Sequence, residues 1–237
     1  MTQTEQVINK MREMGGFSTF GRLNSKLDFS NWKTKTPEAT VRRIVQDSVA
    51  FFKIKPGLWA LEECRENVLK KLGVGENNKE KEDSFSHTYF QGLAVEIGNM
   101  KGWKTYVPSQ DKNRRFLDKP LKEIVALDAI YRFANDRLQK RASTVDVIWF
   151  NEREMPSCFI EIEHSTDIQN SLLKYYDLQD FYANFIIVAD EARRKLFDNI
   201  IGRSVYAPIK SRVKFVNYER VSAQHDAMYK LSGNMSI

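Results

Sequence analysis

The sequence predicts a mixed α/β protein in two parts: a small helical module ending in a β-hairpin, then a mixed β-sheet flanked by helices. Three observations predict it. Apolar residues recur at helical spacing over residues 4–49 and give way to two short apolar runs around Pro56-Gly57. Apolar, strand-like runs then alternate with helical stretches between His87 and Val216. A polar stretch of alternating charge around Gly73-Val74-Gly75 separates the two. At 237 residues, 42% of them apolar, the chain is long enough to bury a substantial core.

Composition narrows the classes further. No run of about 18 apolar residues is present and no basic-then-apolar signal opens at Met1, so no membrane contact is expected. Cys64 and Cys158 are too few for a disulfide framework and lack zinc-binding spacing, which predicts a cytoplasmic setting. The formal net charge is +6, and residues 1–61 hold ten Lys and Arg against five Asp and Glu. Nearly all of the excess positive charge therefore sits in the N-terminal quarter.

Thr4 to Met14 reads as a helix with Val7, Ile8, Met11 and Met14 on one stripe, ended by Gly15-Gly16. Phe20 to Leu27 reads as a second. Thr36-Pro37-Glu38 opens a third that runs to about Val49: a capping residue, proline in the first turn, then an acid. Phe51 to Lys55 and Leu58 to Leu61 are strands around the Pro-Gly turn. Three helices followed by a hairpin make a winged helix-turn-helix, expected over residues 1–61. The run TPEATVRRIVQ…FFKIKPGLWAL resembles the winged-helix module found at the ends of restriction-system nucleases. Double-stranded DNA is the expected partner, met by Lys33, Lys35, Thr36, Thr40 and Arg43 near the start of the third helix. The alternative is a solvated basic face on a protein-contact module.

Residues 62–86 read as a connector that opens with a helix as far as Leu72. The second domain is expected over residues 87–237. It begins with a helix from His87 to Met100, followed by a strand at Trp103–Val107 and a helix from Leu121 to Leu138. A hairpin comes next, then a helix from Thr166 to about Tyr182 and a strand at Phe185–Val188. Glu191 to Ile201 reads as helix and Val213–Val216 as strand.

The hairpin is the most informative stretch. Val145-Asp146-Val147-Ile148-Trp149-Phe150 and Cys158-Phe159-Ile160-Glu161-Ile162-Glu163-His164 are apolar strands carrying acids. Side chains alternate along a strand, so Glu161 and Glu163 share one face and Ile160 and Ile162 the other. Asp146, on the partner strand, joins them. Three converging carboxylates repel unless a positive charge lies between them, and a divalent metal is the simplest candidate. Taken singly, each acid has another reading: Asp146 bonded to a turn, or Glu161 or Glu163 paired with Arg141 or Arg153.

This order of elements, with an acid on the first helix, Asp in one strand and Glu-x-Glu in the next, resembles the PD-(D/E)XK nuclease superfamily over residues 87–218. Type II restriction endonucleases are the closest likeness. The resemblance implies a restriction-endonuclease-like core in which Asp146 and Glu161 hold catalytic Mg²⁺, with the Ile162 carbonyl a further ligand. Glu96 would be the helix acid. Glu163 occupies the position where the family has Lys, which brings in a further metal or catalytic carboxylate and a second Mg²⁺. Lys174 on the following helix is the candidate to supply the missing charge. The resemblance also implies a homodimer for cutting both strands and a prokaryotic cytoplasm. Two alternatives stand: a DNA-binding protein on an inactive nuclease fold, and a DNA repair or structure-specific nuclease.

Other residues carry weaker signals. His164 should point away from Glu163 and is expected to be structural, while His87 and His225 lack a partner at recognisable spacing. Ser165, Thr166 and Asp167 are expected to start the next helix. Lys101, Lys104, Lys112, Arg114 and Arg115 either track a DNA backbone or form a solvated run. Tyr175, Tyr176, Phe181 and Tyr182 are expected in the core.

Overall fold

In the computed structural model of the chain, Thr2 opens the first helix, α1 (Gln3–Glu13), through a capping box. Its hydroxyl accepts from the Glu5 amide at 3.2 Å, and the Glu5 carboxylate accepts from the Thr2 amide at 2.7 Å. The structure describes residues 1–75, 78–164 and 167–234. They form two units: Met1–Glu82 with the chain from Ser222 onward, and Asp83–Val221.

In the first unit α1 is followed by β1 (Phe17–Thr19), α2 (Phe20–Lys26), α3 (Pro37–Asp47), β2 (Phe51–Lys55) and β3 (Leu58–Leu61). The helices and the hairpin lie where the sequence places them. Strand β1 is additional: Gly15 and Gly16, at φ +88° and +87°, turn the chain out of α1 and lay Phe17 opposite Ala60. Three residues are too few to show a strand period. The sheet runs β1-β3-β2, and Val7, Met11, Phe20, Leu23, Val41 and Val45 fill the core beneath it. α4 (Arg65–Leu72) ends at Gly73 in the left-handed region, φ +68°. Glu76 and Asn77, in the expected connector, lie outside the described residues.

Helix α5 (Lys79–Met100) starts eight residues before His87. The Asn78 carboxamide caps it by accepting from the Lys81 amide at 3.1 Å, and Lys79 to Glu82 are good helix formers. No helix of the described residues is long and apolar enough to cross a membrane.

The second unit is built on a five-stranded sheet. Its strands are β4 (Lys104–Tyr106), β7 (Val147–Phe150), β8 (Pro156–Glu163), β9 (Asn184–Ala189) and β10 (Val213–Asn217), and a small ribbon, β5 (Arg115–Phe116) with β6 (Lys119–Pro120), stands beside it. The order is β10-β9-β8-β7-β4; β4, β7 and β8 pair antiparallel, and β8, β9 and β10 pair parallel. The sheet is mixed and flanked by helices α6 (Asp136–Ala142), α7 (Ile168–Asp177) and α8 (Arg194–Ile201), with α9 (Tyr218–Asn234) closing the chain. Strand β8 lies at the centre, with neighbours on both sides.

Three expectations are corrected. The helix from Leu121 to Leu138 does not form; after a short turn at Leu121–Glu123 the chain is irregular until Asn135 caps α6. Its amides are taken by other partners: Leu127 N–H donates to the Thr105 carbonyl at 3.0 Å and Ala126 N–H to the Thr105 hydroxyl at 3.1 Å. Ile130, Tyr131 and Phe133 all pack on one core without helical backbone. Helix α7 stops at Asp177, so Tyr182 falls beyond it and is fully exposed, whereas Tyr175 is buried. The sheet unit ends at Val221 instead of continuing to the C-terminus, since the later part of α9 belongs to the first unit. There Asp226 accepts from the Gly21 amide and the Arg42 guanidinium, each at 3.0 Å.

Close approach holds α5 on the sheet. The Trp149 indole donates to the Ala94 carbonyl at 3.1 Å, and a Cβ on Gly98 would lie 2.6 Å from both Thr105 and Trp149 side-chain atoms. Gly98→Ala is therefore expected to destabilise the fold by about 1–3 kcal/mol despite alanine's better helix propensity. Urea unfolding checks this; an unchanged midpoint would show that the helix can shift outward freely.

Candidate active site

Strand pairing brings the acids together. Val147 lies opposite Ile160 in the antiparallel β7–β8 pair, and extending that register by one places Asp146 opposite Glu161. The Ile162 amide donates to Asp146 Oδ2 at 2.7 Å, fixing the carboxylate at the strand end. Glu161 and Glu163 share a face, as alternation requires, and both are buried. The Ser171 hydroxyl contacts both of them, 3.1 Å from Glu161 Oε2 and closer to Glu163 Oε1.

Helix α7 supplies the counter-charge. Asp167 caps it by accepting from the Gln169 amide at 2.9 Å, and Ile168, Leu172 and Tyr175 bury its inner stripe. Ser171 and Lys174, one turn apart, then face the strand acids. Lys174 Nζ lies 2.9 Å from each Glu161 oxygen and 3.0 Å from the Thr144 carbonyl. Arg193 stands 3.9 Å from Glu163, and Arg141 bonds Asp177 at 2.6 Å instead of either strand acid. These groups open onto a cleft of about 350 Å³ that also takes in His87 and Ile162. Ser165 and Thr166 lie outside the described residues.

Burial sets the protonation of the acids. Desolvation raises the Asp146 pKa, opposed by the nearby His87, the Ile162 amide and Lys174. Glu161 is pushed well above the ordinary carboxylate range, first by burial and then by the charge of Asp146, with Lys174 pulling the other way. Carboxylates and a carbonyl at this cleft are hard oxygen donors, and that set fits Mg²⁺.

The helix side of the site differs from the sequence reading. His87 and Glu96 are nine positions apart, which puts them on opposite sides of the helix, and His87 rather than Glu96 lines the cleft. His87 Nε2 lies 3.6 Å from Asp146 Oδ1. One turn on, Gln91 Nε2 donates to the Asp146 carbonyl at 2.8 Å and to Asp111 Oδ2 at 3.1 Å. Ligand atoms of His87, Asp111 and Asp146 all fall within 4.8 Å of one another, a spacing the trio Asp146, Glu161 and Glu163 does not reach among the described residues. Asp111 had no sequence signal, lying in a charged loop; the His87–Gln91 spacing of four was the only hint.

The remaining residues sort by partner. His164 bonds the Tyr218 hydroxyl through Nδ1 at 3.0 Å and Asp83 through Nε2 at 2.9 Å, a structural position. Lys112 reaches the Asp128 carbonyl, Arg114 pairs with Asp111 at 3.0 Å, and Arg115 bonds the Asp118 carbonyl at 2.7 Å. In the first unit Lys33, Lys35, Thr36 and Arg43 are exposed, and Thr36, Thr40 and Arg43 fall on one stripe of α3. Arg42 instead lies over Phe20, 4.4 Å from the ring centre, and pairs with Asp226.

Residues 70–234 match the family described as the type II restriction enzyme NmeDI C-terminal domain. The chain is 27% identical over 124 residues to the type II restriction enzyme NmeDI of Neisseria meningitidis serogroup C, an alignment covering 47% of this chain and 35% of that protein. It thus spans about a third of its relative's length. No solved structure matches the chain.

The raised acids carry a stability signature. A carboxylate whose folded pKa lies above its unfolded value binds its proton more tightly when folded, so stability is lost as pH rises from the unfolded toward the folded pKa. Without divalent ions, thermal stability is expected to fall as pH is raised above the ordinary carboxylate range, and Asp146→Asn is expected to flatten that fall. Melting curves in chelator check both; identical slopes for the two proteins would show that Asp146 does not carry the effect.

Proposed function

We propose that this chain, which belongs to the type II restriction enzyme NmeDI C-terminal domain family, is a Mg²⁺-dependent, sequence-specific endonuclease acting on double-stranded DNA. The observation that carries the reading is the opposition of Asp146 and Glu161 on adjacent strands, with Lys174 held on Glu161. Two acids and a cation at the ends of neighbouring inner strands are the groups that the PD-(D/E)XK resemblance asks for, and the cation arrives from α7 rather than from position 163. The relative from Neisseria meningitidis is a type II restriction enzyme, which supports the same reading.

Asp146, Glu161 and the Ile162 carbonyl would hold the ion, with Glu163 beside them. A bound Mg²⁺ would offset the negative charge that builds on the phosphate and lower the pKa of its bound water. The chain's own groups prepare the site. Lys174 fixes the Glu161 carboxylate in one orientation and favours its ionised form. The Ile162 amide does the same for Asp146, and Ser171 ties Glu161 to Glu163. The first unit, read as a winged helix, would contact the DNA backbone through Lys33, Lys35, Thr36, Thr40 and Arg43. Two copies would cut the two strands, in a prokaryotic cytoplasm.

The test is incubation of the chain with supercoiled plasmid and with genomic DNA, with and without Mg²⁺. Discrete fragments support the reading. Nicks confined to damaged or branched DNA point to a repair nuclease, and binding without cleavage points to an inactive nuclease fold.

Asp146→Ala and Glu161→Ala are expected to abolish cleavage while DNA binding persists, since binding draws on phosphate contacts elsewhere. Glu163→Gln should slow cleavage by about 10²-fold, and Glu163→Lys should be inactive because it sets a second cation near Arg193. Cleavage at wild-type rate by Asp146→Ala, measured on plasmid, would remove the site assignment.

Lys35→Ala and Arg43→Ala are expected to weaken DNA binding and lower its salt slope by about one each. Fluorescence anisotropy over a salt series reads this directly. An unchanged slope in the double variant would reassign the first unit to protein contacts.

A further inference from the structure

We infer that His87, Asp111 and Asp146 form a second divalent-cation position, distinct from the all-oxygen position proposed at Asp146, Glu161 and the Ile162 carbonyl. Its mixed imidazole and carboxylate donors make it a site for a first-row transition ion such as Mn²⁺, Co²⁺ or Zn²⁺. Imidazole suits Zn²⁺ and its neighbours and Mn²⁺ accepts it beside carboxylates, whereas Mg²⁺ and Ca²⁺ favour oxygen throughout.

The geometry of the three donors leads to this. Their ligand atoms lie within 4.8 Å of one another. His87 Nε2 and Asp146 Oδ1 are 3.6 Å apart, too far for a hydrogen bond. Two donors that share one ion at about 2.1 Å each stand about 3–4 Å apart, which suits that spacing. The two oxygens of Asp146 are already divided: Oδ2 accepts from the Ile162 amide, while Oδ1 faces His87.

A second observation is independent of the acids. Gln91 is fully buried, and its Nε2 holds both the Asp146 carbonyl and Asp111 Oδ2. Its Oε1, on the same carboxamide, has no hydrogen-bond partner. Two carboxylates beside one imidazole, with an unpartnered amide oxygen on the residue that bridges them, are acceptors that a bound cation would help to satisfy. Arg114 meets Asp111 at Oδ1, 3.0 Å away and from a half-exposed position. Gln91 and Arg114 would then be the outer partners that orient a ligating carboxylate.

The test reads metal binding, not cleavage, and so separates this inference from the nuclease reading. The full chain, stripped of metal and free of DNA, is titrated with Mn²⁺ while free Mn²⁺ is followed by electron paramagnetic resonance. Pulsed spectra of the loaded protein report nitrogen coordination. Wild type is expected to bind Mn²⁺ with an imidazole nitrogen signal. His87→Ala should lose that signal and at least about ten-fold in affinity, and Asp111→Asn should lose affinity while keeping the signal. Glu161→Gln should keep both the signal and the His87-dependent binding. Should His87→Ala fail to fold, His87→Gln is read in its place by the same two measures. Absence of a nitrogen signal in wild type, or an unchanged isotherm in the folded His87 variant, overturns the inference. His87-dependent binding in a chain that cuts no DNA would uphold it and count against the nuclease reading alone.

Discussion

The burial of two carboxylates on the central strand is the constraint around which the second unit is arranged. Glu161 and Glu163 sit on β8, with strand neighbours on both sides and α7 against one face, and both side chains are shielded from water. An isolated buried carboxylate is costly enough to take up a proton or draw in a partner. Here the partners come from α7, whose Ser171 and Lys174 face the acids while Ile168, Leu172 and Tyr175 anchor the helix on the core. Even so, the compensation is incomplete, because Glu161 remains pushed toward its protonated form.

Lys174 shows how a cation can reach a strand carboxylate from a neighbouring helix. With Glu at 163, the sequence lacks a cation at the point where the PD-(D/E)XK resemblance asks for one. A long, flexible lysine stem reaching from α7 brings an ammonium to the same carboxylate. What the local chemistry requires is a charge within hydrogen-bond reach, and neighbouring elements can supply it equally well. Strand alternation explains the other half: Glu163 keeps the face that Glu161 uses, so its charge is met by Ser171 and Arg193 on that side.

Helix α5 links the fold to the site through one long stripe. Gly98 and Ala94 let it lie close on β4 and β7, and toward its N-terminal side the same close approach carries Gln91 and His87 to the end of β7. Because 3.6 residues make a turn, the register of that approach decides which polar residue meets Asp146. It selects His87 and Gln91 and turns Glu96 away.

The sequence by itself determined the mixed α/β class, the order of nearly every strand and helix, and the pairing of Asp146 with the Glu161–Glu163 strand. Those features are local: a period of two or 3.6, a cap, a Pro-Gly turn, or two apolar runs joined by a short loop. Tertiary structure alone decided the rest. Residues 124–135 gave up helix because Thr105 and Asn99 took their backbone groups, partners some twenty residues or more away in sequence. Asp111 comes beside Asp146 from a charged loop, Lys174 reaches Glu161 from α7, and His87 rather than Glu96 lines the cleft. Each of these depends on how far apart two packed elements sit and at what rotation, quantities that no periodicity within one element encodes.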